Sequence, residues 1–238
     1  MELLDLVQSL HYEAKLPGSP PDSVSGQSGR AADLVRWVIE AYNDIQREKD
    51  SRWKWLRGDW TLDTTADDSI YAPTDCTDVA DDSAISRFLA WDLDDESRPF
   101  IYLTSDTVST ERELPIADHW NDFRSLYVKA THTAAAPSQM AVDHADNLHF
   151  GPTPDAVYTV TGNYWKSIQR LAADADEPEM PANFHMLIVY RALLKYAYNV
   201  VGQEILARAR TEGAPIYDAL VENQWYGRFR IRLPGPLA

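Results

Sequence analysis

Apolar residues recur along this chain in two rhythms. Near the start, Leu3, Leu4, Leu6, Val7 and Leu10 share one side of a 3.6-residue helix, which predicts a short helix over residues 2–12. Pro, Gly and Ser then crowd the stretch from Leu16 to Gly29, the chemistry of a loop. A longer helix is expected at 29–50. There Leu34, Val35, Val38, Ala41, Tyr42 and Ile45 recur at three- and four-residue steps, with Arg36, Glu40, Asp44 and Arg47 between them. It runs into an aromatic cluster, Trp53-Lys-Trp-Leu56.

In the middle the rhythm shortens. Strand-like pieces stand at Trp60–Leu62, Ile70–Ala72, Ile85–Leu93 and Phe100–Thr104, then at 139–142, 148–150 and 156–164. Gly151-Pro-Thr-Pro154 marks a turn between two of them. Residues 116–127 allow one helix, with Ile116, Trp120, Phe123 and Tyr127 on one side. Short strands at close spacing predict a small antiparallel sheet or barrel.

The last third turns helical again. Phe184, Leu187, Ile188, Leu194, Ala197, Val201 and Ile205 form a stripe that predicts one helix from 182 to 210. Gly213 is expected to stop it and Pro215 to open a shorter one. Arg228-Phe-Arg-Ile-Arg-Leu233 then alternates with a period of two. The predicted fold is α+β. A helical body of residues 1–56 and 166–226 carries a β-rich antiparallel insertion at 57–165 and an extended tail at 227–238. The helical ends have one apolar face each and are expected to pack together.

Charge narrows the function. The chain has 238 residues with 22 Lys and Arg against 37 Asp and Glu, a formal net charge of −15. Such a surface does not grip nucleic acid by neutralising phosphates. The acids are segregated: twelve lie between Asp59 and Glu96, against the single base Arg87. No apolar run approaches the roughly 18 residues that a spanning helix needs, so no membrane role is expected. The start, Met-Glu-Leu-Leu-Asp, lacks the pattern of a signal peptide, and synthesis in a reducing cytoplasm is expected. A lone cysteine, Cys76, leaves no internal disulfide and no Cys-based zinc site.

Candidate chemistry is sparse. Asp143-His-Ala-Asp-Asn-Leu-His149 offers two imidazoles and two carboxylates in seven residues. Asp143, His144, Asp146 and His149 could hold a divalent ion for a metal-dependent hydrolase; the alternative is a solvated turn between strands. Cys76 with His11, His119 or His132 would make a thiol–imidazole pair. Phosphate-loop, dinucleotide-binding and Gly-x-Ser-x-Gly patterns are missing. No catalytic residue, metal or cofactor is therefore expected. The tail stands out instead. In an extended chain Arg228, Arg230 and Arg232 face one way and Phe229, Ile231 and Leu233 the other, suited to strand addition on another chain or to the edge of its own sheet.

One run carries a family likeness: Ala173-Asp-Ala-Asp-Glu-Pro-Glu-Met-Pro-Ala-Asn-Phe-His-Met-Leu-Ile-Val-Tyr-Arg-Ala-Leu-Leu-Lys-Tyr-Ala197. An acidic stretch, a Met-Pro, and a Phe-His opening a Val-Tyr-x-Ala-Leu helix resemble the head-to-tail adaptor (connector) proteins of tailed bacteriophages, especially short-tailed ones. Tyr158-Thr-Val-Thr-Gly-Asn-Tyr-Trp-Lys166, Leu148-His-Phe-Gly-Pro-Thr-Pro154, Ala41-Tyr-Asn-Asp-Ile-Gln46 and Trp53-Lys-Trp-Leu56 are similar to that family too. The likeness thins over 60–130.

The resemblance implies a structural virion protein of the neck, made in the host cytoplasm. It implies a homo-oligomeric ring, dodecameric in that family, under the portal protein, joining the DNA-filled capsid to tail nozzle or tube proteins. DNA would pass through without specific binding. It implies a carboxy-terminal extension onto the portal, hence portal-binding roles for Arg228, Phe229, Arg230, Ile231, Arg232 and Leu233. Phe184, Leu187, Ile188, Leu194 and Val201 are expected to pack the core or a neighbouring subunit. The long Pro/Ser/Gly-rich loop from Leu16 to Gly29 departs from the family, so the first helix is expected to sit away from the body. Another ring component, a stopper or tail-tube protein, is the alternative.

Overall fold

The computed structural model describes residues 1–94, 97–200 and 202–225. The chain forms two compact units. One is Arg57–Ser167; the other joins Met1–Leu56 to the chain from Ile168 onward. Helices and antiparallel sheets together make the fold α+β.

The helical unit is built from α1 (Leu3–Glu13), α2 (Gly29–Arg47), α4 (His185–Val200) and α5 (Gln203–Gln224). Its core takes Leu3, Leu6, Val7 and Leu10 from α1, Leu34, Val38, Ala41 and Ile45 from α2, and Leu187, Ile188, Ala192 and Leu193 from α4. The first helix is therefore not set apart. Its four core residues are wholly buried, and its amides at Leu3 and Leu4 bond the carbonyls of Asp176 and Asp174. Asp174 also ties down the loop, accepting from Ser23 Oγ at 3.2 Å and Val24 N at 2.6 Å. The loop's length is absorbed by this anchoring.

The single helix expected over 182–210 is two. α4 ends at Val200 and α5 starts after Gly202. The break lets α5 return against α4, so both bury a face; one continuous rod would carry its second half away from the core. Gly213 does not stop α5 but lies inside it. A Cβ there would come 3.3 Å from Tyr190 Cβ, so the glycine serves close helix approach. Pro215 opens nothing either: it sits within α5, where it lacks the N–H that would bond the Thr211 carbonyl. The stripe on α4 also differs in phase. Leu193 is wholly buried, whereas Leu194 is half-buried at the edge of the core. Phe184, Leu187 and Ile188 are buried; Val201 lies outside the described residues.

The described residues of the second unit carry ten strands: β1 (Arg57–Asp63), β2 (Ile70–Tyr71), β3 (Thr77–Asp78), β4 (Ser83–Ala84), β5 (Phe88–Asp92), β6 (Phe100–Leu103), β7 (Arg112–Glu113), β8 (Gln139–Val142), β9 (Leu148–Gly151) and β10 (Tyr158–Lys166). Seven form one sheet, ordered β4-β3-β1-β10-β6-β7 with β5 also on β10; β2-β9-β8 form a second. β10 is the hub. One edge pairs β1 along its length, from Arg57↔Trp165 to Asp63↔Thr159. The other edge is shared between β6, up to Thr161↔Phe100, and β5, from Asn163↔Asp92. Gly162 faces Trp60, whose ring would lie 2.8 Å from any Cβ there. Trp60, Leu62, Ile101 and Val160 of the large sheet share one core with Tyr71, Met140, Leu148 and Phe150 of the small one.

Two expectations in this unit change. The run Ile85–Leu93 splits: Ile85 follows β4 as a buried residue, and β5 starts only at Phe88. The helix over 116–127 shrinks to α3 (Trp120–Phe123), which widens into a π turn at Arg124–Val128. Ile116 instead forms a parallel bridge with Met140.

Candidate functional site

The histidine- and aspartate-rich segment is the turn between β8 and β9. Asp143 accepts bonds from the amides of Ala145 (2.8 Å) and Asn147 (2.9 Å), from Asn147 Nδ2 (3.0 Å), and from His149 Nε2 (3.1 Å). Burial alone would raise its pKa; the bonds from His149 and Asn147 outweigh that and hold the carboxyl well below the usual range. His149 is buried, its ring 4.6 Å from that of Trp120. His144 and Asp146 are exposed, and Asp146 adopts φ 62°. The four side chains thus part into two that tie the turn and two that face water. Among the described residues no group of three or more His, Cys, Asp or Glu converges to hold a metal ion. Cys76 is buried, its Sγ 3.9 Å from the Ala72 carbonyl oxygen. Burial and then the Asp75 charge push its thiol up to about 12, which removes the thiolate at neutral pH. Of the histidines considered with it, His11 is engaged with the Gly18 carbonyl and His132 with that of Leu126.

The tail residues Arg228, Phe229, Arg230, Ile231, Arg232 and Leu233 lie outside the described residues. What the structure does describe is the root from which the tail departs. α5 ends at Gln224, and Trp225 forms an antiparallel bridge with Trp53. Trp53 is wholly buried, donates from Nε1 to the Ile45 carbonyl at 2.9 Å, and stacks on Trp55 with centroids 4.8 Å apart. Lys54 Nζ reaches the Asn223 carbonyl at 2.8 Å, a cation on the free carbonyls of a helix end. Lys49 Nζ lies 5.1 Å from the Trp225 ring centroid.

Behind these contacts is a strained turn. Lys49, Asp50 and Ser51 all adopt positive φ, at 55°, 57° and 58°. None is Gly, and left-handed backbone costs residues such as Lys49 and Ser51 about 1–2 kcal/mol each. The turn holds because its neighbours are fixed. Glu48 pairs with Arg191 at 3.2 Å, whose guanidinium lies over Tyr217 at 4.9 Å. Burial, and then the bond that Tyr217 gives Glu48, push its hydroxyl up to about 12, so it remains a donor. The sequence announced the Trp53–Trp55 cluster but not this turn, since Glu48-Lys-Asp-Ser51 carries no glycine to mark it. The result is that the end of α5 and Trp225 are tied to Trp53, Lys54 and Lys49.

With that geometry in view, one comparison decides the family. The family model described as SU10 adaptor protein matches residues 1–232. The chain belongs to the SU10 adaptor protein family. It is a structural protein of the phage head-to-tail adaptor type. No curated protein matches the adaptor. The matched region spans both units, the root, and most of the alternating tail. Among the adaptor's described residues no helix is long and apolar enough to cross a membrane.

Proposed function

We propose that this adaptor forms a ring, dodecameric as in the families it resembles, that lies under the portal in the virion neck. It joins the DNA-filled capsid to the tail nozzle or tube proteins and continues the DNA channel. The role needs surfaces, not a reacting group. The observation that supports it most is the family match through residue 232, which takes in Arg228 to Arg232. An acidic wall suits a channel: at −15 per copy it repels phosphate and lets DNA slide.

The tail fastens the ring to the portal. It is strongly basic in an acidic chain, and it follows directly on the Trp225–Trp53 bridge. Arg228, Arg230 and Arg232 pair with portal carboxylates while Phe229, Ile231 and Leu233 enter an apolar groove or strand edge. Co-sedimentation of full-length and 227–238-deleted protein with purified portal tests this. The deletion folds, with unchanged circular dichroism, and fails to join the portal. Portal binding at full strength by the truncated protein would move the attachment surface to the helical unit.

A further inference from the structure

Helices α4 and α5 leave an apolar groove of about 230 Å³ on the helical unit. Leu194 and the buried Ala209 and Gly213 line it with the exposed Ala214, and Arg191 and Arg210 add two guanidinium groups to its wall. The groove exists because α5 presents small residues where α4 presents large ones. Arg191 is already paired with Glu48. Arg210 is exposed and meets the Tyr198 hydroxyl at 2.9 Å; among the described residues no carboxylate pairs with it. Tyr198 is itself 63% exposed. An apolar slot walled by guanidinium groups and tyrosines has the composition of an interface anchor site. It calls for an apolar knob flanked by acids.

The other unit presents such a knob. At the tip of the β3–β4 hairpin Val79 is 55% exposed, beside the exposed Asp81 and Asp82. The tip is stiff. Buried Asp78 accepts from Ala80 N at 3.1 Å, Tyr164 Oη at 2.6 Å and Lys166 Nζ at 2.7 Å. Its carbonyl takes the Asp82 amide at 3.0 Å, and Ser83 Oγ donates to Asp81 at 2.8 Å. A valine held out on a braced turn loses little entropy when it docks.

We propose that the β3–β4 tip of one copy seats in the α4–α5 groove of the next. Val79 enters over Gly213, with Asp81 facing Arg210 and Asp82 on the side of Arg191. The contact is heterologous, head to tail, which is the kind that generates rings when its rotation closes. This assignment rests on the ring reading above and names the two surfaces that make it. A stretch of portal or tail protein with the same chemistry is the competing occupant.

The test uses full-length protein assembled on purified portal. Val79→Cys combined with Ala214→Cys is oxidised mildly, and the products are separated under denaturing conditions; both positions are exposed, and Cys76 is buried. A ladder of covalently linked oligomers is expected, absent from either single variant. Arg210→Glu and Asp81→Arg should each weaken self-association about tenfold or more, and the double variant should recover most of it. Rings visible by electron microscopy without a ladder or charge-swap rescue would overturn this contact and leave the ring reading standing. Monomers both free and on the portal would overturn both. Intact rings from charge-reversed protein that no longer holds portal or tail protein would give the groove to that partner and overturn the proposal.

Discussion

Replacing Asp78 by Ala probes how the β-rich unit is braced. Asp78 is 5% exposed, and its carboxylate serves three donors: Tyr164 Oη, Lys166 Nζ and the Ala80 amide. Removing it strands the Tyr164 hydroxyl, on a residue only 1% exposed, and an unsatisfied buried donor costs about 1–3 kcal/mol. The Lys166 side chain is 18% exposed, so its ammonium recovers part of its hydration and adds toward the low end of that range. The expected loss is about 3 kcal/mol. Urea unfolding followed by tryptophan fluorescence reads it, because Trp60 and Trp91 lie in the same core. A second variant sharpens the test. Tyr164→Phe removes the donor as well, so the double variant should be more stable than the sum of the single losses predicts, with a coupling of about 1–2 kcal/mol. The acid limit follows from the carboxyl. Burial opposes its ionisation, but the bonds from Lys166 and Tyr164 prevail and lower its pKa. Its stabilising contribution is therefore complete above about pH 4, the unfolded value, and drains as pH falls through the lower folded value. A loss under about 1 kcal/mol, or strict additivity with Tyr164→Phe, would refute the reasoning.

On α4, Leu193→Asp should abolish soluble expression while Leu194→Asp keeps a folded protein, because only Leu193 is wholly buried; equal outcomes would show the helix rotated. His185 is buried, and burial lowers its pKa against the bond it makes to the Met180 carbonyl at 2.7 Å. The unfolded chain takes up that proton first, so helical-unit stability falls as pH drops below about 6.5. A His185→Gln variant should lose that slope between pH 7.5 and 5.5 in urea midpoints, and an unchanged slope would assign it elsewhere.

Periodicity carried far where one face meets one core. The stripes of Leu3 to Leu10 and of Leu34 to Ile45 are the buried faces of α1 and α2. The alternation of Tyr158 to Lys166 is the strand at the centre of the sheet. It failed where backbone geometry, not side-chain chemistry, decides. Gly213 reads as a stop in sequence yet packs under Tyr190, because a missing Cβ serves a helix contact as readily as a cap. The α4 stripe fitted Leu194 as well as Leu193, since adjacent leucines leave the phase open by one residue. The left-handed run at Lys49–Ser51 follows from its anchors at Glu48, Trp53 and Trp225, which come together only in three dimensions. The histidine turn shows the converse. Its composition suggested ligands, but Asp143 spends its acceptors inside its own turn.

The position of β10 also sets the order in which the molecule can be made. β1, β5 and β6 all pair with a strand that leaves the ribosome after them, and Arg57 waits for Trp165. At about 5–20 residues per second that wait is roughly 5–20 s. The helical unit waits longer still, because the core that α1 and α2 share is completed only by α4. Most of the nascent chain therefore displays unpaired strand edges and apolar helix faces while it is being built. Its excess of fixed negative charge keeps such chains apart in that interval. A product cut before Tyr158 would lack the partner of three strands at once and could complete neither unit.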